Sequence, residues 1–536
     1  MTPAVVLYIA QIFHNCPTHS KMSVTRALCY HNDRFVVEML THLATGLPEP
    51  ANSNAQIYFP SGRTHGTGTI FDISPEIGHF FVAPIHESLF EQYRTSMSGH
   101  FPFAPIPSGI STYNMTRDRP FLYTCCVMSA AHRDPPLQAR IAKDILKYIS
   151  EHMILRGEKS LDLLQGLLVV TAWYHVYTHS NPQLMNLLHL AKALLVDLGL
   201  NRPPGFGIFQ IKMSSDATEM IHGSKHEARV HSLEERRACL GVYHVYNRYN
   251  AAFRRVDPAA WSEHLEQCCQ ALQTAAEYPS DAHAVAYVRL DHLVERYTGA
   301  GGFKPGASMP IHTYVKLFSE EIDRLRQGLP DVLRNCPAML AEFQTAEISL
   351  FEPIIGAECD VPAQKAEAYH ACLKKCWAYW ETFMNQDVAK VPHLPFLSWT
   401  MTAHALDVVA RLSFTQTEGW DLFYVRSVAG FDMLSDKMVT LLKNVQTYED
   451  AAYPKSRSIR FKIFCLRIDM FKQWYDSKIQ QEALLKEPRG KEHADNEHPS
   501  AMTTLDSLPV MSDFSDMLWQ DFNIDWSRLD SDFHFT

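Results

Sequence analysis

The sequence contains no C-x-x-C. Its 12 cysteines are scattered: Cys16 and Cys29 stand alone in the first hundred residues, and Cys125-Cys126 and Cys268-Cys269 are adjacent pairs. Two zinc ions held by six cysteines need closely spaced ligands interleaved with lysine and arginine, so a DNA-reading zinc cluster is excluded from this sequence. The same scatter builds no disulfide framework and fits buried free thiols in a reducing compartment. Positive charge is also short. The 49 Lys and Arg against 59 Asp and Glu leave a formal net charge of -10, which repels nucleic-acid phosphates from the chain as a whole. The basic runs are Arg236-Arg237, Arg254-Arg255 and KSRSIRFK at 455–462, the last a weak nuclear-import signal. No apolar run reaches the ~18 residues that cross a bilayer, so no membrane span is expected. The apolar start MTPAVVLYIAQIF lacks the preceding positive charges of a secretion signal.

Catalytic patterns are missing too. There is no G-x-S-x-G elbow. His226-Glu227 with His231 resembles a zinc-protease helix, but the second histidine follows the first by five residues instead of four and leaves the shared face. His175 and His179 are four apart, without an acidic or cysteine third ligand nearby, and are expected on an ordinary helix surface. His370, Cys372 and Cys376 sit in an aromatic-rich segment where cysteines serve as small core hydrophobes. Gly299, Gly301, Gly302 and Gly306 around Lys304 match neither a phosphate loop nor a dinucleotide fingerprint. No catalytic residue, no metal ligand and no cofactor is therefore expected, and the chain is not read as an enzyme.

What the sequence does have is helical spacing. From about 86 to 478 apolar residues recur three and four apart, so a large all-α body is expected there. Residues 1–85 are expected as a linker-like stretch with one short helix at DRFVVEMLTHLATGL. Ser160 is placed to cap a helix over LDLLQGLLVVTAWYHVYTH, with Leu161, Leu164, Leu168 and Trp173 on its buried face and Asp162 in its first turn. Asn181-Pro182 opens the next helix, which stops at Gly199, and Ser232 with Glu235 makes a capping box. Residues 279–312, with TGAGGFKPG, are expected as an internal loop. After Trp474 the composition turns polar and charged, and 479–499 is expected as a flexible tether.

The succession FPFAPIP (101–107), RPFLYTCCVMSAAH (119–132), the leucine-rich block 159–204 and EERRACLGVYHVYNRYNAAF with its continuation to 272 resembles the middle homology region of fungal zinc-cluster transcription factors. The resemblance implies an all-helical regulatory domain in a nuclear protein, set between an N-terminal zinc cluster and a C-terminal activation region. Because the cluster is missing, zinc is expected only if a cluster-bearing segment precedes Met1. Either the sequence is an incomplete gene product, or the regulator reaches promoter DNA through a DNA-binding partner. A homodimer is a further possibility that the resemblance leaves open.

The last segment, 500–536, has its own chemistry. Phe514, Leu518, Phe522, Trp526, Leu529 and Phe533 would form one apolar stripe on a helix. Seven aspartates from Asp506 to Asp532 against Arg528 alone leave 500–536 at net -6 with histidine neutral. Acidic residues alternating with aromatics give the composition of activation domains, whose anchors fold into coactivator grooves. The expectation is a transcriptional activator of RNA polymerase II genes, dedicated to one pathway such as a secondary-metabolite cluster. The alternatives are a coregulator or small-molecule sensor that does not itself bind DNA, and an enzyme with a helical pocket around the histidine-rich segments.

Overall fold

The computed structural model describes residues 84–174, 183–204, 230–253, 257–298, 304–305, 308–357, 361–427, 430–456, 458 and 460–486. All of them lie in the compact unit Asp72–Thr536. Among the described residues no strand occurs, only an isolated bridge between Pro305 and Met309. The helices that position the sites are α1 (Pro84–Gln92), α2 (Thr112–Asp118), α3 (Pro120–Ala130), α4 (Pro135–Tyr148), α5 (Leu161–Ala172), α6 (Leu184–Asp197), α7 (Leu233–Phe253), α8 (Glu263–Ala275) and α9 (Asp281–Thr298). They are followed by α10 (Ile311–Gln327), α11 (Asp331–Arg334), α12 (Pro337–Ile355), α13 (Pro362–Met384), α14 (Phe396–Leu412), α15 (Leu422–Ser427), α16 (Phe431–Ala452) and α17 (Arg460–Lys486).

The caps read at Ser160, Ser232 and Gly199 form, while Asn181 and Pro182 lie outside the described residues and the helix expected after them is described from Leu184. Ser160 Oγ accepts the Leu163 N–H at 3.1 Å. Ser232 and Glu235 cap one another: the Ser232 N–H donates to Glu235 Oε2 at 2.9 Å, and the Glu235 N–H to Ser232 Oγ at 3.2 Å. Gly199 takes φ +69°, and the Leu200 N–H reaches back to Leu195 O at 3.1 Å, the six-to-one bond of a Schellman stop. Asp162 does more than favour its own helix dipole. Its carboxylate accepts the Phe121 N–H at 3.0 Å and the Leu122 N–H at 2.8 Å, and so caps α3.

Four expectations are corrected. The helix opened by Ser160 ends at Ala172. Trp173 leaves helical geometry there, fully buried with its indole N–H donating to His393 O at 3.2 Å, and tertiary packing overrides the local period. That helix is also buried on every side from Leu163 to Ala172, so Leu161, Leu164, Leu168 and Trp173 do not define one buried face. Most of 279–312 is helix α9, because Val285, Val288, Leu293 and Tyr297 keep the helical period through the polar composition and bury against the body. The tether expected from 479 is helical to Lys486, where Glu482 accepts from Arg426 and from Gln416.

Helix α7 sits at the centre of the packing. It touches α5, α6, α8, α9 and α14, and every residue from Arg237 to Tyr249 is buried. Each fully buried Leu or Val along it contributes roughly 1.5–3 kcal/mol. Two glycines permit the closest approaches. A Cβ on Gly241 would stand 2.7 Å from Phe103 Cβ and 3.0 Å from Leu168 Cδ1, and one on Gly166 of α5 would stand 2.3 Å from Phe121 Cδ1.

Candidate functional site

The second half of α7 forms one wall of a polar cleft of about 530 Å³, closed by α9, α12 and α14. Helix register places Asn247 and Arg248 from α7, Asp291 and Glu295 from α9, Glu352 from α12 and Arg411 from α14 around it, with Asp257 from the loop after α7. Four carboxylates face two guanidiniums, a lining of net -2. Both guanidiniums are already engaged. Arg248 Nε lies 2.8 Å from Asp291 Oδ1, and its Nη2 contacts Glu342. Arg411 contacts Glu352 and lies 3.6 Å from Asp407. His244, one turn before Arg248, holds the other Asp291 oxygen at 2.6 Å.

One feature of the lining is open to a guest. Asn247 is buried, donates its amide to Tyr243 O at 3.0 Å, and leaves Oδ1 without a hydrogen-bond partner. Burial raises the Glu295 carboxyl against the opposing pull of Arg296, and Glu295 lies 3.4 Å from His292, which stacks on Trp261 outside the lining. The cleft therefore offers acceptors and negative charge, and suits a small molecule rich in hydrogen-bond donors or carrying positive charge.

Glu352, His404 and Asp407 bring three potential metal donors together behind this cleft. Arg411 supplies the positive charge there, so the set is an ion-pair network. The second such set, Cys239, His264 and Cys268, lies at the other end of α7.

The sequence candidates divide as follows. The tail anchors Phe514, Leu518, Phe522, Trp526, Leu529 and Phe533 lie outside the described residues, as do His175, His179, His226, Glu227 and the glycines at 299, 301, 302 and 306. Cys372 and Cys376 are buried in the core, while His370 is exposed and edge-on to Trp420 at 4.7 Å, so the three do not converge. Two basic runs are partly consumed by the fold: Arg237 is 1% exposed, and Arg460, 3% exposed, donates to Pro392 O at 3.0 Å. Neither is presented to phosphates. Sequence reading missed the cleft, whose residues come from four helices, and the Cys239–His264–Cys268 set, for which the spacing of His264 and Cys268 by four was the available signal.

The sequence profile described as the WAR1 C-terminal domain matches residues 84–509. Transcription factor opdL of Penicillium oxalicum is 24% identical over 371 residues, covering 67% of this chain and 65% of opdL. Transcription factor himD of Aspergillus japonicus is 27% identical over 266 residues, covering 49% of this chain and 43% of himD. Transcriptional regulator WAR1 of Candida albicans is 21% identical over 353 residues, covering 63% and 36%. The chain thus spans less than two thirds of the length of each of these relatives. No solved structure matches it. The profile runs through all four blocks that resemble the fungal middle homology region, and the chain belongs to the WAR1 C-terminal domain family, a helical body of fungal transcription factors.

Proposed function

We propose that the chain is the regulatory and activating portion of a nuclear transcriptional regulator, an activator of RNA polymerase II genes dedicated to one pathway such as a secondary-metabolite cluster. The observation that carries this reading is the family match over 84–509, on a body whose relatives bear the names of transcription factors. The tail supplies the activating chemistry. Its aromatics dock in coactivator grooves, and its aspartates speed encounter with basic partners. Promoter DNA is reached either directly or through a partner protein, and a homodimer fits the same role. No described helix is long and apolar enough to cross a membrane.

Fusing residues 500–536 to an unrelated DNA-binding domain and measuring a reporter tests the tail. Activation is expected, with most of it lost in Phe522→Ala/Trp526→Ala. A silent fusion, or an unchanged double variant, removes the activator reading.

The cleft favours a second reading, a coregulator that senses a small molecule and works through a DNA-binding partner. The unpartnered Asn247 Oδ1 in a lining of net -2 supports it. Sequence-specific promoter binding by the purified chain alone would sink this alternative.

A further inference from the structure

We propose that Cys239, His264 and Cys268, with His231 beside them, form a binding site for a thiophilic divalent cation of the zinc type. Cys239 comes from the first half of α7. His264 and Cys268 are one turn apart on the facing side of α8, which places both donors toward the same neighbour. All three ligand atoms lie within 4.8 Å of one another. Tetrahedral zinc, with bonds of about 2.0 Å to nitrogen and 2.3 Å to sulfur, sets its donors about 3.5–3.8 Å apart. The distance from His264 Nε2 to Cys268 Sγ is 3.7 Å.

The surroundings point the same way. His231, half-buried, places its ring 5.5 Å from that of His264 at 75°. Two imidazoles on one tetrahedral ion stand about 5 Å apart between centroids. His231 is therefore assigned the fourth position. A cation entering the site takes both cysteines as thiolates and displaces their protons. His264 Nε2 also lies 3.0 Å from Leu200 O. Binding exchanges that hydrogen bond for a metal–nitrogen bond, with the imidazole proton on Nδ1, a buried atom that has no partner in the structure.

The other buried cysteines supply the contrast. Cys372 and Cys376 share the spacing of four and the burial, but their neighbour His370 is turned out against Trp420. They match a core role. A filled site would tie α7 to α8 and release the Leu200 turn that closes α6 from its hydrogen bond to His264, independently of how the chain acts on genes.

The test uses the full-length protein, stripped with a chelator under reducing conditions and titrated with cobalt(II), then competed with zinc(II). One equivalent is expected to bind, with the thiolate-to-cobalt charge-transfer absorption and the intense visible bands of tetrahedral S/N coordination. Cys268→Ser and His264→Ala are expected to weaken binding by about tenfold or more, and His231→Ala to bind with altered visible bands. Cys376→Ser is expected to leave titration and spectrum unchanged. The proposal is overturned if the unaltered protein takes up no cobalt with a thiolate band. It is equally overturned if Cys268→Ser, shown folded by circular dichroism, retains that band at the same affinity.

Discussion

Removing one half of the Arg237–Asp281 pair tests how the central helix α7 is held to α9. The Arg237 and Asp281 side chains are 1% and 2% exposed. They meet as a fork, Nε to Oδ1 at 2.7 Å and Nη2 to Oδ2 at 3.0 Å. Nη2 also reaches Glu277 at 2.7 Å, and the guanidinium lies 4.7 Å over the Tyr278 ring. Glu277 is half exposed, so its share is at most ~1 kcal/mol and is screened by salt. The buried fork dominates. Arg237→Met keeps much of the stem packing but strands the Asp281 carboxylate without a counter-charge, which costs about 3–5 kcal/mol. Across a body of roughly 400 residues the unfolding entropy is about 0.8 kcal/mol per degree, so Tm falls by about 4–6 °C.

The diagnostic comparison is the double variant Arg237→Met/Asp281→Leu. With neither charge buried, it should recover to within ~1–2 kcal/mol of the unaltered protein. The remainder is the Tyr278 N–H, which now donates to Asp281 Oδ2 at 3.0 Å and would lose its acceptor. Scanning calorimetry at low and high salt measures Arg237→Met, Asp281→Leu and the double variant. Losses that simply add in the double variant would refute the reasoning. So would a loss that vanishes in high salt, because a pair shielded from solvent is screened little.

Gly241→Ala is expected to cost about 1–3 kcal/mol, because the new methyl meets Phe103 Cβ at 2.7 Å and neither α7 nor the turn that carries the fully buried Phe103 can yield without moving the core; denaturant melts with an unchanged midpoint would contradict it. Stability is also expected to fall as pH drops from about 6.5 toward 4. His393 is held to about 4 by burial and then by Arg133 and Arg460, and fully buried His132 is held well below its usual value by burial and then by the same two arginines. The unfolded chain takes up these protons first, so the stability present above pH 6.5 is lost on acidification. Allowing for the partial exposure of His393, its share between pH 7 and pH 5 is about 1–2 kcal/mol. The difference between urea melts at the two pH values should therefore shrink by about 1–2 kcal/mol in His393→Gln, with the share of His132 remaining, and an unchanged difference would assign the pH dependence elsewhere.

Which features were legible in the sequence follows from how far apart their partners lie along the chain. Ser160 and Leu163, Ser232 and Glu235, and Leu195 and Leu200 are three to five residues apart, so their bonds are written into local spacing, and the caps form where that spacing puts them. Apolar recurrence gave the all-α class for the same reason. It failed where composition hid it, in α9, and where a distant partner outweighed it, at Trp173.

The sites belong to the other category. The Arg237–Asp281 fork joins residues 44 positions apart, and Asp162 caps a helix through an N–H 40 positions before it. The cleft gathers charges from four helices and the loop after α7, and the cysteine–histidine cluster needs Cys239 to meet a histidine on another helix. An isolated His264 and Cys268 four apart is as consistent with a core as Cys372 and Cys376. What separates the two pairs is the third and fourth donors delivered by α7. Because α7 carries Cys239 near one end and Asn247 with Arg248 near the other, nine residues apart or about 13 Å of rise, one buried helix is part of both sites. Any guest that shifts α7 at one end must do work against the packing at the other, and linkage requires the effect on binding to be reciprocal.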